Sequence, residues 1–193
     1  AYSLMTKGAT KNIMVPAIKN VLKELKKLAR RTKSLPMLSL THGQPATTTT
    51  LGKELAVFIS RIERELVLIS EINLLAKFSG ATGSYAAHKA AFPAANWSVF
   101  AKKFIKRLGL GQSPITSQVE PGDSIAELLH SYVRINNILS DFSLDMWLYI
   151  SRNIFVQKNV SGEVGSSTMP HKINPIFFEN AEGNLDVANN NFS

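Results

Sequence analysis

The stretch LGKELAVFISRIERELVLISEINLLAKF, residues 51–78, decides the fold class of this chain. It contains no proline and, after Gly52, no glycine. At a rise of about 1.5 Å per residue, it predicts a helix about 40 Å long. Additional apolar residues widen its apolar face, so we expect contacts on more than one side, in a long and oligomeric helix bundle. The residues that recur at helical spacing on its main stripe are Leu55, Phe58, Ile62, Leu66, Ile69 and Leu75.

Other segments share this helical periodicity. Ser124 and Glu127 are typical of a capping box at the start of one helix, and Pro36 ends an earlier one. No segment alternates convincingly between apolar and polar residues, so the predicted class is all-α, without a sheet. The additional helices are predicted at residues 11–33, 96–108, 124–152 and 175–190.

Residues 38–50, LSLTHGQPATTTT, interrupt the helical pattern. Threonines around a central Gly-Gln-Pro favour an irregular strand or a loop that leads into a helix. We expect one of the last threonines to cap the helix that follows.

Composition limits the class of protein. The chain has 193 residues, 45% of them apolar and 19% charged, which is typical of one soluble globular domain. It has no cysteine, so disulfides and thiolate metal sites are excluded, and a reducing compartment is compatible. No apolar run approaches the length needed to span a bilayer, and no signal peptide is visible at the N-terminus. We therefore expect a cytoplasmic protein without a membrane partner.

The formal net charge is +8, and much of it lies in the first predicted helix. Such a row of cations has two interpretations, a nucleic-acid or phosphate surface and the solvated face of an amphipathic helix. The solvated face is favoured because no aromatic residues interleave for base stacking. The row consists of Lys19, Lys23, Lys26, Lys27, Arg30, Arg31 and Lys33.

The segment SGEVGSSTMPHKINP, residues 161–175, has too little apolar surface for a core element. Gly162 and Gly165 free the backbone so that N–H groups can turn toward a ligand, whereas Pro170 and Pro175 stiffen the chain. We expect a functional loop, followed by a helix that Asn174 caps.

Several familiar sites do not fit this loop. The glycine spacing is not that of a P-loop, and neither a nucleophile elbow nor a Ser-x-x-Lys pair is present. The four histidines lack zinc-ligand spacing. No metal is therefore expected.

The loop resembles the signature of the fumarase and aspartase superfamily, whose pattern is G-S-S-x-M-P-x-K-x-N. THGQPATTTTLGKELA, GATGSY and TSQVEPGD are similar to one branch of that superfamily, and the similarity extends over nearly all 193 residues. Fumarases and argininosuccinate lyases usually have leucine where this chain has Gly43. The resemblance implies the central long-helix bundle domain of the superfamily, spanning residues 1–193, with the N-terminal and C-terminal domains of the family missing.

The resemblance also implies a reaction. Members of this branch release fumarate by cleaving a carbon–nitrogen bond, from adenylosuccinate to give AMP and from SAICAR to give AICAR, in purine biosynthesis. They need no cofactor. The chemistry requires a base beside a carboxylate, stabilisation of the resulting negative charge, and an acid for the leaving nitrogen.

By resemblance Ser166 is the catalytic base, with Ser167 as the alternative, and His42 is the general acid. An unactivated hydroxyl is a poor base, so residue chemistry alone does not single out a serine. Lys172 and Asn174, with loop N–H groups, match the positions that hold the developing charge. The remaining substrate-binding positions by resemblance are Thr41, Gln44, Gln118 and Met169, of which Met169 anchors the loop.

Each assignment has a structural alternative. Outside its motif His42 would be read as a hydrogen-bonded structural residue, Asn174 as a cap and Lys172 as a solvated charge. Gln118 could shape a turn. His88 and His130 match no catalytic position, and His171 stays undecided.

The family forms a homotetramer whose active sites combine segments of three subunits. A preceding family segment that supplies another histidine, and a following one that binds phosphate, are absent from these 193 residues. We therefore expect this chain alone to be nearly inactive. The alternatives are another superfamily lyase such as argininosuccinate lyase or fumarase, an inactive structural relative, and a helical nucleic-acid-binding module.

Overall fold

The structure is a computed structural model that describes residues 1–158, 169 and 173–192. Helices dominate the described residues and pack side by side, so the predicted all-α helix bundle is confirmed. The helices are α1 (Tyr2–Ala9), α2 (Val15–Arg31), α3 (Leu51–Glu71), α4 (Ala86–Ala91), α5 (Trp97–Arg107), α6 (Asp123–Ser151) and α7 (Ile176–Phe192). The short strands are β1 (Pro36–Thr41), β2 (Gln44–Thr50), β3 (Leu75–Ala76) and β4 (Gly111–Gln112).

The first helical region is longer than predicted. It starts at Tyr2 and passes through one π-helical turn, Thr10–Met14, before α2. Pro16 lies in the first turn of α2 and has no N–H to donate to the carbonyl four residues before it. The wider π turn accommodates this break without ending the helical path.

Helix α3 begins where predicted and ends early. The Thr50 hydroxyl accepts a hydrogen bond from the Lys53 N–H at 3.2 Å, which confirms a threonine cap. The helix ends at Glu71 because Ile72 is extended and the chain then pairs through β3 with β4. The predicted extent to residue 78 is therefore wrong, and its 21 residues span about 32 Å.

The prediction of no sheet is wrong for residues 36–50. β1 and β2 pair as an antiparallel hairpin whose two-residue turn is His42 and Gly43. Both turn residues have positive φ, 51° and 71°, as a type I′ turn requires. Most residues of β2 are exposed, so no apolar alternation marks the strand in sequence. β-branched threonines nevertheless suit this extended backbone.

Two helix starts differ from prediction. α6 begins at Asp123 after Gly122, so the Ser124 capping box is not formed, and the Ser124 hydroxyl instead accepts from the Leu75 N–H at 3.0 Å. α7 begins one residue later than the Asn174 cap predicts, because the Pro175 carbonyl accepts the first helical N–H groups. By contrast, α5 lies within one residue of the predicted bounds 96–108, and Asn96 caps its start.

The core lies where α3 packs on α2 and, antiparallel, on α6. Phe58 of α3 meets Phe142 of α6 edge to face, and Ile69 packs near the start of α6. One buried cluster joins α3 to α2, and a second joins the end of α3 to α5 and α6. The start of α3 therefore lies beside the end of α6.

A charged pair lies within this helix interface. Glu65 is 1% exposed, and its carboxylate accepts a 2.8 Å hydrogen bond from Nε of the half-exposed Arg134. Arg134 also donates to the Ser131 hydroxyl at 2.8 Å. Because a buried charge is costly without a partner, this pair favours the observed register of α3 on α6.

Apolar side chains also remain exposed on several helices of the described chain. They include Val21 and Leu28 on α2, Val57 on α3, Trp147 on α6 and Phe177 on α7. Continuous apolar surface on long helices favours burial against further helices. In the described residues no helix has both the length and the apolar character needed to cross a membrane.

Gly52 permits the close crossing of α2 and α3. A Cβ at this position would lie 2.5 Å from the Lys33 Cα atom and 2.6 Å from the Ala29 carbonyl oxygen. We expect Gly52→Ala to lower the free energy of unfolding by about 1–3 kcal/mol, because backbone atoms must move. Urea denaturation of the purified protein measures this change.

Gly8→Ala is the matched control, since no atom lies within 4 Å of its Cβ position in α1. Alanine there should leave stability unchanged or raise it by up to about 1 kcal/mol. Equal denaturation midpoints for the two variants would contradict the close crossing.

Candidate active site

The hairpin tip brings three predicted site residues together. Thr41 ends β1, Gln44 begins β2, and the two are paired across the turn. His42 occupies the turn itself, is exposed, and has the left-handed backbone that histidine adopts more readily than most residues. The turn therefore presents the His42 imidazole to solvent.

Arg152 fixes this tip to the end of α6. Its Nη1 atom donates to the Gly43 carbonyl oxygen at 2.8 Å. A Cβ on Gly43 would lie 3.2 Å from the Arg152 Nη2 atom, so the guanidinium lies directly against the turn. Sequence reasoning did not select Arg152. Its sequence signal is limited to its place at the end of the helix predicted at residues 124–152.

A hydrogen bond joins the chain before the signature segment to Ile173, near the end of that segment. The Gln157 side-chain amide donates to the Ile173 carbonyl at 3.3 Å. Ser166, Ser167, His171 and Lys172 lie outside the described residues, so their predicted roles stay predictions. Of the described members, Met169 is 43% exposed and Asn174 is partly buried beside the start of α7.

Gln118 lies in a different part of the molecule, the loop between β4 and α6. Its side chain is exposed. Its carbonyl accepts a hydrogen bond from Lys77 Nζ at 2.5 Å, and the Ser117 carbonyl accepts another at 2.7 Å. Lys77 follows β3, which pairs in parallel with β4 and so places the two connecting segments side by side.

A second loop, GATGSY at residues 80–85, packs against the loop of Gln118. The hydroxyls of Ser79 and Thr116 are 3.1 Å apart. A Cβ on Gly83 would lie 1.8 Å from the Thr116 carbonyl oxygen, so the two backbones touch directly. Only glycine fits here without movement of one loop.

His88 lies behind this second loop in an aromatic environment. Its ring is 4.9 Å from that of Trp97, 5.3 Å from Phe78 and 5.8 Å from Tyr85, measured between centroids. Its Nδ1 atom is buried and has no hydrogen-bond partner among the described residues. His88 thus packs against aromatic side chains next to the loop. His130 is exposed on α6.

Helix α3 separates the hairpin tip from Gln118. β2 runs directly into the start of α3, whereas the loop of Gln118 is tied to the segment that follows its end. The helix between them spans about 32 Å. The described chain therefore does not bring His42 and Gln118 to one substrate-sized site.

Three carboxylates lie near one another, Glu54 in the first turn of α3 and Asp141 and Asp145 on α6. Burial, followed by the nearby Asp141 and Glu54 carboxylates, raises the pKa of Asp145, while Arg61 opposes the shift. Burial and the Asp145 charge raise the pKa of Tyr149. No group of described histidines and carboxylates is arranged to hold a metal ion.

Comparison with known proteins identifies the class. A family model described as Lyase matches residues 1–188. The chain belongs to this lyase family. Among its curated relatives are the adenylosuccinate lyases of Vibrio cholerae, 47% identical over 190 residues, and of Dictyostelium discoideum, 50% identical over 193 residues. These alignments cover 98% of this chain and 42% and 41% of the relatives, so the chain spans about two fifths of their length.

A solved structure shares the fold. The crystal structure of 3-carboxy-cis,cis-muconate lactonizing enzyme from Pseudomonas putida matches with a TM-score of 0.75 and 23% sequence identity. The match covers 99% of this chain and 41% of that one. At this identity the likeness establishes the helical architecture alone, since one fold hosts many reactions.

Gly83 provides a test of the packed loops. We expect Gly83→Ala to displace the Thr116 backbone. A positive φ alone costs alanine about 1–2 kcal/mol, and the measured loss of stability should exceed that amount. Gly122→Ala is the matched control because Gly122 also has positive φ, while no atom lies within 4 Å of its Cβ position. Thermal unfolding compares the two variants. Equal losses would contradict the contact between loops.

Proposed function

We propose that this chain forms the central helical part of an enzyme with adenylosuccinate lyase activity. The reaction eliminates fumarate from adenylosuccinate to give AMP, and from SAICAR to give AICAR, in purine biosynthesis. The observation that carries the proposal is the THGQ hairpin tip, with Thr41, His42 and Gln44 together, in a chain 47% identical to a curated adenylosuccinate lyase.

The proposed chemistry assigns one group to each step. Ser166, or Ser167 in its place, removes the proton beside the carboxylate, and His42 protonates the leaving nitrogen. An exposed imidazole suits proton transfer, which is typically worth about 10² to 10⁴ in rate. Lys172, Asn174 and loop N–H groups stabilise the developing negative charge. Thr41, Gln44, Gln118 and Met169 hold the substrate or the loop over it.

The domain assignment is part of the proposal. We propose that residues 1–193 form a central domain and that further segments complete the site. The span of about two fifths of the curated relatives' length supports this proposal. Neither a cofactor nor a metal has a part in the proposed elimination. The proposed location is the cytoplasm, and the proposed partners are the small-molecule substrates and other copies of this chain, without nucleic acid or membrane.

The proposed assembly is a homotetramer with shared active sites. The separation of about 32 Å between the two ends of α3 supports it, because His42 and Gln118 can then meet one substrate only if they come from different chains. Exposed apolar residues along α2, α3, α6 and α7 supply surface for burial against those chains.

Fumarate release by the full-length parent protein tests the activity. We expect release from adenylosuccinate and none from argininosuccinate, with Ser166→Ala reducing turnover by at least about a hundredfold. Absorbance of the released fumarate provides the measurement. The 193-residue chain alone should be nearly inactive.

Release from argininosuccinate instead would favour the alternative lyase. Absence of turnover on any fumarate-releasing substrate would favour the inactive relative. Full activity of Ser166→Ala would favour Ser167 as the catalytic base, which the Ser167→Ala variant then tests.

Mixing two inactive variants tests the shared site. The full-length His42→Ala and Gln118→Ala proteins should each lose turnover. In a random mixture of the two, about half of the chains carry an intact His42 and the other half an intact Gln118. About a quarter of the shared sites then have both residues, so mixed oligomers should recover up to about a quarter of wild-type activity. Each variant mixed with itself is the control. Failure of the exchanged mixture to regain activity would place both residues of a site on one chain.

A further inference from the structure

Lys77 joins the two loops that meet beyond the end of α3. Its ammonium group donates to the Gly80 carbonyl at 2.7 Å in its own loop. It also donates to the Ser117 carbonyl at 2.7 Å and the Gln118 carbonyl at 2.5 Å in the neighbouring loop. Three carbonyl oxygens from two separate segments therefore converge on one nitrogen atom.

These contacts use the full donor capacity of the side chain. An ammonium group has three N–H donors, and here each has a carbonyl acceptor. Within the described chain Lys77 forms no salt bridge with a carboxylate. The group is partly buried, which strengthens hydrogen bonds from a charged donor. Its geometry is that of a clamp on the backbone rather than of a solvated surface charge.

The Lys77 clamp holds Gln118, which is a substrate-binding residue of the proposed site. Gln118 is exposed, and its neighbours Ser117 and Val119 are exposed as well, so the loop has little core packing at this point. Other contacts lie to either side, between Ser79 and Thr116 and between the Glu120 carboxylate and the Gly122 N–H. In the described structure, Lys77 fixes the Gln118 backbone itself.

We propose that Lys77 is a positioning residue that holds Gln118 for the substrate. This inference rests on the proposed function for its effect on turnover, whereas its effect on the loop does not depend on the substrate. Lys77 acts through Gln118 and is assigned no contact with the reacting atoms. Loss of the clamp should therefore weaken substrate binding more than the chemical step.

Kinetics of the full-length parent test the coupling. We expect Lys77→Met to raise KM for adenylosuccinate about tenfold or more, with a smaller change in kcat. Gln118→Ala loses turnover, so in that background the Kd for adenylosuccinate is measured by direct binding. There the same substitution should add little, because the residue it positions is gone. Independent, multiplicative losses in the double variant, or a wild-type KM for Lys77→Met, would overturn the proposal.

Lys89→Met is the matched control. Lys89 is an exposed lysine on α4, close to the same loop in sequence, and its side chain forms no hydrogen bond or salt bridge in the described structure. It should leave KM and kcat unchanged. Lys77→Arg keeps the charge and several donors, so it should recover part of the lost affinity and provides a second variant if Lys77→Met folds poorly.

Hydrogen exchange separates this proposal from the proposed function. Lys77→Met should speed amide exchange in residues 113–122 while leaving α3 and α6 unchanged. Unchanged exchange in that loop would overturn the positioning role. Faster exchange in a parent that does not turn over adenylosuccinate would support the clamp and reject the proposed substrate.

Discussion

Antiparallel packing of α3 on α6 is the constraint on which the other features depend. Apolar contacts such as Phe58 with Phe142 and the buried Glu65–Arg134 pair fix the register of the two helices. A slip of one turn would leave a buried carboxylate without its partner, at a cost of several kcal/mol. Because the helices run in opposite directions, the hairpin lies beside the end of α6 and the loop of Gln118 beside its start.

The long helices could be predicted from the sequence because their buried residues recur at helical spacing. Leu55 and Ile62, chosen from the helical stripe, are almost fully buried. An irregular strand was one of the two structures predicted for residues 38–50, but the pairing into a hairpin was missed. β2 is exposed on both faces, and its turn uses His-Gly rather than the more familiar Asn-Gly pair. The end of α3 was missed because the apolar pattern continues into β3, where partly buried residues have the same composition in an extended backbone.

The sequence predicted only those site residues that belong to a recognised motif. Thr41, His42 and Gln44 were selected by resemblance, and the hairpin explains why these residue types adjoin: the tight turn places them at one tip. Arg152 and Lys77 were not selected, since both donate to backbone carbonyls. Every residue has such a carbonyl, so no side-chain pattern marks the acceptor, and only the fold reveals the contact.

Arg152 and Lys77 both bind the backbone of a loop rather than its side chains. Arg152 holds the Gly43 carbonyl at one end of α3, and Lys77 holds the Gln118 carbonyl at the other. Because the acceptors are backbone atoms, side chains in each loop can change without loss of the contact that positions it. The helices then supply a rigid frame, and the loops supply variable chemistry at fixed places. The same frame occurs in a lactonizing enzyme only 23% identical to this chain. The fold therefore persists at low sequence identity, and the fold alone does not determine the reaction.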